Sequence, residues 1–240
     1  MTTFAGWRHG LRAPWDDPPA PGRRSCNTTK SQQPHLPLLA VVEGPHDVKF
    51  LRRISSLMHA QLPDLPDLAQ LEQDQKLIFL PLGGGDVRVW AERLAPLGKA
   101  EVHLYDRESQ PETALRQSAA ARVNARPRCR AFVTGKHSLE SYLAPEAIRE
   151  CCGLEIEFND NDNESVPSRV ARQLFERAAS GMAWEKLPRR ARCKLRDKAK
   201  HWLNTRAVER MTFAQLQERD PHGDILAWLI AVADLLAGNL

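Results

Sequence analysis

An α/β fold, a mostly parallel sheet flanked by helices, is what this chain predicts, on three observations. The stretch LLAVVEGPHDVKFL (Leu38–Leu51) passes from a short β-branched run through Glu43-Gly44 into a helical pattern. The same order of strand, glycine turn and helix returns from Leu77 to Leu94, and strand-to-turn units follow near Val102 and at Ala131–Val133. Repeated strand–helix units argue for parallel strands with helices on both faces. Beyond Ala144 only helical patterns remain.

Met1–Pro37 carries six of the 17 prolines among scattered Arg, Ser, Thr and Gln, and so predicts a flexible arm with little to bury. Trp7 and Trp15 lie within it. Residues 38–145 form the expected sheet domain. In its first unit Pro45 suits a helix first turn, and Val48, Leu51, Ile54, Leu57 and Met58 share one helical face that would cover a sheet. Buried parallel strands deliver their last residue into the crevice where open α/β sheets bind ligands. Glu43 is therefore a candidate site residue, and Asp47, one helical turn on, can join it.

The second unit turns through Gly83-Gly84-Gly85-Asp86, which matches no phosphate-loop or dinucleotide pattern and reads as a tight turn. In the third, a strand from Val102 ends in Asp106-Arg107-Glu108. On an extended chain, positions two apart point the same way, so Asp106 and Glu108 are expected to share a side. The fourth runs through Thr134-Gly135-Lys136-His137 into a helix opened by Ser138 and Glu140. Residues 146–240 form a helical C-terminal region, with helices expected at Val166–Ser180, Ala191–Leu203, Thr212–Arg219 and Ile225–Ala237. These pack as an appendage or complete one side of the sheet domain.

The five cysteines, odd in number and without a CxxC pair, argue against a zinc ribbon and a disulfide framework, and fit a reducing cytoplasm. Ile225–Ala237 is interrupted by Asp234 and falls short of the ~20 apolar residues of a membrane span, and no signal-peptide core is visible. His46, His59 and His103 lack ligand spacing. Glu155–Glu164 lacks the glycine and spacing of a calcium loop.

Charge is distributed unevenly. Trp184–Arg210 holds ten Lys or Arg against three acids. Arg189, Arg190, Arg192, Lys194, Lys198 and Lys200 are the candidate contacts to a phosphate backbone, bound without sequence readout. A second cluster is Arg122, Arg126, Arg128 and Arg130.

Glu43-Gly44 followed by Asp106-x-Glu108 resembles the TOPRIM domain of topoisomerases, bacterial primases and several nucleases, whose signature is a Glu-Gly turn and then DxD; this chain has DxE. VVEGPHDVKFL, with Asp47 four residues after Glu43, and KHSLESYL, with Glu140 before an aromatic, resemble the TOPRIM nucleases of the OLD family and related small defence nucleases. The likeness covers Leu38–Leu143. It implies a Rossmann-like TOPRIM fold and a metal site of Glu43, Asp47, Asp106, Glu108 and Glu140 holding two Mg²⁺ or Mn²⁺ ions. It also implies a catalytic basic residue, with Lys136, His137 and Arg107 nearest by sequence. Glu43, Asp106, Glu108 and Lys136 are then the expected catalytic set.

The chemistry of such a set can be stated independently. Phosphodiester hydrolysis needs an activated water, an in-line phosphate and charge relief on the leaving oxygen, which two divalent ions supply. Hard carboxylate oxygens suit Mg²⁺, and the lack of a Cys/His cluster counts against zinc. Large OLD proteins carry an ATPase on the same chain, whereas no Walker motif occurs here. The resemblance thus implies a nuclease acting on DNA or RNA in phage defence with a separately made ATPase of the ABC or AAA type, with homo-oligomers possible. The alternative is a catalytically silent TOPRIM subunit that binds nucleic acid or regulates its ATPase.

Overall fold

The protein is described by a computed structural model over residues 37–83, 86–157, 164–178 and 182–239. The expected N-terminal arm with Trp7 and Trp15, the pair Gly84-Gly85, and the middle of the acidic stretch 155–164 lie outside the described residues.

Four strands, β1 (Leu38–Val42), β2 (Leu77–Pro81), β3 (Glu101–Tyr105) and β4 (Cys129–Val133), form a parallel sheet in the order β2-β1-β3-β4. Its register pairs Ala40 with Phe79 on one side and with Val102 on the other, and His103 with Ala131. The chain leaves β1 toward β2 and then crosses back past β1 to β3. The strand order therefore reverses between β1 and β3, the kind of switch point at which a crevice opens at the carboxyl ends.

Two apolar layers cover the sheet. Leu38, Ala40, Val42, Phe79, Val102 and Leu104 face one core with α1 (Pro45–Gln61) and α2 (Leu68–Gln73). Val41, Tyr105 and Ala131 face a second core with α3 (Val87–Arg93) and α4 (Glu112–Asn124), through Val87, Ala91, Ala119, Ala120 and Val123. The alternation along each strand is the two-residue period of side-chain direction. The second face also holds a polar ladder. Buried His103 bonds Glu101 through Nε2 at 2.8 Å and the Tyr105 hydroxyl through Nδ1 at 2.8 Å, while Arg126 clamps Glu101 at 2.8 and 3.0 Å.

The helix expected to open at Ser138 is instead a 3-10 turn, Leu139–Tyr142, followed by α5 (Pro145–Cys152). Leu143 and Ala144 are extended, with ψ of 142° at each. Pro145 disfavours helical geometry in the residue before it, and its fixed φ starts the next helix. The remaining helices are α6 (Val166–Ala178), α7 (Arg189–Trp202), α8 (Phe213–Arg219) and α9 (Asp224–Ala237), with a π-helical turn at Leu203–Ala207 after α7. Ile225, Trp228, Leu229 and Val232 of α9 join the first core beside α1, so the last helix completes one side of the sheet. No helix among the described residues is long and apolar enough to cross a membrane.

Candidate active site

The turn after β1 is built locally. Gly44 has extended φ and ψ, its N–H donates to Asp47 Oδ2 at 2.7 Å, and Pro45 opens α1. This hydrogen bond turns the Asp47 carboxylate back toward the strand end. Across the switch point, the Asp106 N–H donates to Glu43 Oε1 at 3.1 Å and so ties the end of β3 to the end of β1. Asp106 Oδ1 accepts the Leu139 N–H at 3.0 Å. Glu140, in that 3-10 turn, accepts from Ser138 Oγ at 2.8 Å and from Asn204 Nδ2 at 2.6 Å.

Asp47, Asp106 and Glu140 are 2%, 6% and 0% exposed, too deep to be solvated as isolated charges. Their counter-ion is Lys200, from the last turn of α7, with Nζ 2.9 Å from Asp47, 3.7 Å from Glu140 and 3.8 Å from Asp106. Burial and the neighbouring carboxylates push Asp106 well above the usual carboxyl range, against the pull of Lys200. Burial also raises Asp47. For Glu140, burial is outweighed by Lys200, the Asn204 amide and the Ser138 hydroxyl, and its carboxyl is held low. The three carboxylates hold the Lys200 amine firmly protonated in spite of its burial.

A second cation holds a second set. Arg116 of α4 donates to Glu43 through Nε at 2.9 Å and Nη2 at 3.3 Å, and to Glu112 through Nη1 at 2.9 Å, with Nη2 3.2 Å from Glu108. Glu108 and Asp106 open into the same cleft but meet different cations. Strand β3 ends at Tyr105, and Glu108 takes a left-handed φ of 50°, so the two-residue alternation of an extended chain no longer applies. Asp106 meets Lys200 and Glu108 meets Arg116, though both line one cleft of about 240 Å³ with His137, Glu140, Arg196 and Lys200.

The other cations fall elsewhere than expected. The Lys136 ammonium lies 5.8 Å from the Tyr142 ring centroid and its charge acts on Asp220. That region is a separate knot in which Asp224, at the start of α9, takes hydrogen bonds from the Tyr142 hydroxyl and the Gly135 N–H. Lys200, expected on the outer basic surface, points inward, whereas Arg189, Arg190, Lys194 and Lys198 are exposed on α7 and Arg192 is half-buried. The second arginine cluster is partly consumed by structure: Arg126 holds Glu101, Arg122 pairs with Glu92 at 2.8 Å, and Arg130 donates to a backbone carbonyl.

Arg116 and Asn204 were not singled out from the sequence, yet both left a trace there. Arg116 sits on the same helical stripe as Thr113, Ala120 and Val123, where a charge needs an explanation. Arg196, Lys200 and Asn204 repeat at four-residue spacing, which puts them on one face of α7 and its extension.

Among the described residues no group of three or more His, Cys, Asp and Glu side chains stands close enough to hold a metal ion. The reason is visible in the geometry. Lys200 stands among the Asp47, Asp106 and Glu140 oxygens, and Arg116 stands between Glu43 and Glu108. Asp47, Asp106 and Glu140 carry the hard oxygen donors that divalent cations take, but in this arrangement they surround the Lys200 ammonium. The chain matches no protein-family profile, no curated protein and no solved structure.

Proposed function

We propose that the protein is a divalent-metal-dependent nuclease hydrolysing phosphodiester bonds of DNA or RNA in the cytoplasm. We further propose that it is the effector of a phage-defence system with a separately encoded ATPase. The observation that carries this reading is the meeting of Glu43, Asp47, Asp106 and Glu140, from three separate segments, at the carboxyl edge of a parallel sheet beside Lys200. A buried, convergent acidic group at a switch point is costly to fold and is expected where a site requires it. Asp47, Asp106 and Glu140 would hold Mg²⁺ or Mn²⁺, which when bound polarises a phosphoryl oxygen and lowers the pKa of water. Ser138 and Asn204 orient Glu140, and the Leu139 N–H orients Asp106. Lys200 and Arg196 face the cleft and supply positive charge to a phosphate entering it. The exposed cations of α7 add sequence-independent backbone affinity.

The test is incubation of the purified protein with plasmid, single-stranded DNA and total tRNA in Mn²⁺, with an EDTA control, alongside Glu43→Ala and Asp106→Ala. Cleavage should vanish in EDTA and fall at least roughly a hundredfold in either variant. Cleavage that survives both substitutions sinks the proposal. The silent-subunit reading keeps one observation in its favour: Lys200 and Arg116 already neutralise the carboxylates that a metal would need.

A further inference from the structure

A second groove runs along α1, apart from the acidic cleft. One wall is Lys49, Arg52 and Arg53, spaced to share a helical face. The other is Asn204, in the π-helical turn after α7, with Val208 and Glu209 of the 3-10 turn that follows it. The groove holds about 320 Å³, within the ~300–1,000 Å³ of small-molecule sites.

Its cations are differently engaged. Arg52 is held by Glu72, with Nε 2.7 Å from Oε2, and lies over the Phe79 ring. Arg53 donates from Nη2 to the backbone carbonyl of Glu209 at 3.4 Å, a long contact that leaves most of its fork open. Lys49 and Arg53 are exposed, and no carboxylate among the described residues forms an ion pair with either.

Asn204 forms the inner part of the groove and is only 1% exposed. Its Nδ2 donates to Glu140 Oε1 at 2.6 Å. An ionised carboxylate only accepts, so Oδ1 is the amide atom turned away from Glu140. No group among the described residues donates to that Oδ1. A buried acceptor is costly without a donor. The groove thus combines two cations free of carboxylate partners, a buried acceptor in need of a donor, and the apolar side of Val208.

We propose that this groove binds a nucleoside monophosphate. The phosphate meets Lys49 and the Arg53 fork, a sugar hydroxyl donates to Asn204 Oδ1, and the base lies against Val208. Glu209 on the rim and Glu72 beside Arg52 disfavour a run of phosphates, so the ligand is a single nucleotide and not a nucleic-acid strand. Because the same amide holds Glu140, an occupant that fixes Asn204 also fixes that carboxylate at the edge of the sheet. The binding site stands whether or not the acidic cluster cuts phosphodiesters.

Isothermal titration calorimetry of the whole chain in EDTA tests this with AMP, adenosine, inorganic phosphate and a short RNA. AMP should bind one to one, with adenosine and inorganic phosphate each about tenfold weaker or worse. Lys49→Met/Arg53→Met, a change at two exposed positions, should weaken AMP about tenfold or more. In nitrogen-15 NMR the side-chain amide of Asn204 should shift on addition of AMP and stay in place with inorganic phosphate. Absence of AMP binding would overturn the inference, and so would adenosine binding as tightly as AMP. Unchanged affinity in the double variant would place the nucleotide elsewhere and overturn the site. An RNA that binds more tightly than AMP, and loses that affinity in the double variant, would overturn the single nucleotide in favour of a strand. An Asn204 amide indifferent to AMP would remove its hydroxyl contact.

Discussion

The Lys200 ammonium lies 2.9 Å from Asp47 Oδ1, so the last turn of α7 neutralises the first turn of α1 at the carboxyl edge of the sheet. Removing one member of a buried ion pair leaves the other uncompensated. Lys200→Met should therefore lower stability in EDTA by about 3 kcal/mol, or roughly 6–12 °C in melting temperature for a chain of this size. Added Mn²⁺ should restore much of that loss. A melting curve indifferent to both the substitution and the ion would contradict the pairing.

Arg196 lines the cleft one turn before Lys200 and is exposed. Arg196→Glu should weaken binding to oligonucleotides and flatten the dependence of log affinity on log salt by about one unit or more. Stability should stay within about 0.5 kcal/mol of wild type, as for most exposed positions. Fluorescence anisotropy over a salt series reads both, and an unchanged slope would remove Arg196 from the backbone contacts.

Gly135 is tied to α9. Its N–H donates to Asp224 at 3.0 Å, and a Cβ placed on it would collide with that carboxylate. Gly135→Ala should cost roughly 1–3 kcal/mol, and Tyr142→Phe, which removes a hydroxyl partner of the same carboxylate, about 1 kcal/mol. Because both act on Asp224, the double variant should lose less than the sum of the two. Urea denaturation measures all three, and strict additivity would show that the contacts are independent.

His103 sets a pH dependence. Burial holds its pKa below the ordinary value of 6.5, against the pull of Glu101, while burial raises Tyr105, which keeps its proton. The network thus assigns a neutral ring that donates from Nε2 to Glu101 and accepts the Tyr105 hydroxyl at Nδ1. The folded pKa lies below the unfolded one, so this contribution is full above about pH 6.5 and is lost as pH falls, by up to ~1.4 kcal/mol per pH unit. His46 and His137, also lowered chiefly by burial, add to the same trend. His103→Gln can offer both hydrogen bonds but cannot titrate, and should make stability less steep between pH 7.5 and 5.5. An equal slope would place the acid sensitivity elsewhere.

By itself the sequence determined the four strands, their parallel order of connection and the placing of Glu43, Asp47 and Asp106 near one edge. Each of these follows from patterns a few residues long: apolar alternation, a glycine and proline at a helix start, a carboxylate at a strand end. Only the tertiary structure decided which cation serves which carboxylate. Lys200 reads as one more charge on a basic helix until the packing of α7 turns it inward, and Arg116 reads as a surface arginine until α4, packed against β4, brings its side chain to Glu43. Glu108 lines the cleft with Asp106, but the left-handed turn at Glu108 brings it to Arg116 and not to Lys200, and Arg126 is held by Glu101 inside the fold. A charge's partner depends on how whole helices settle on the sheet. No local period carries that information.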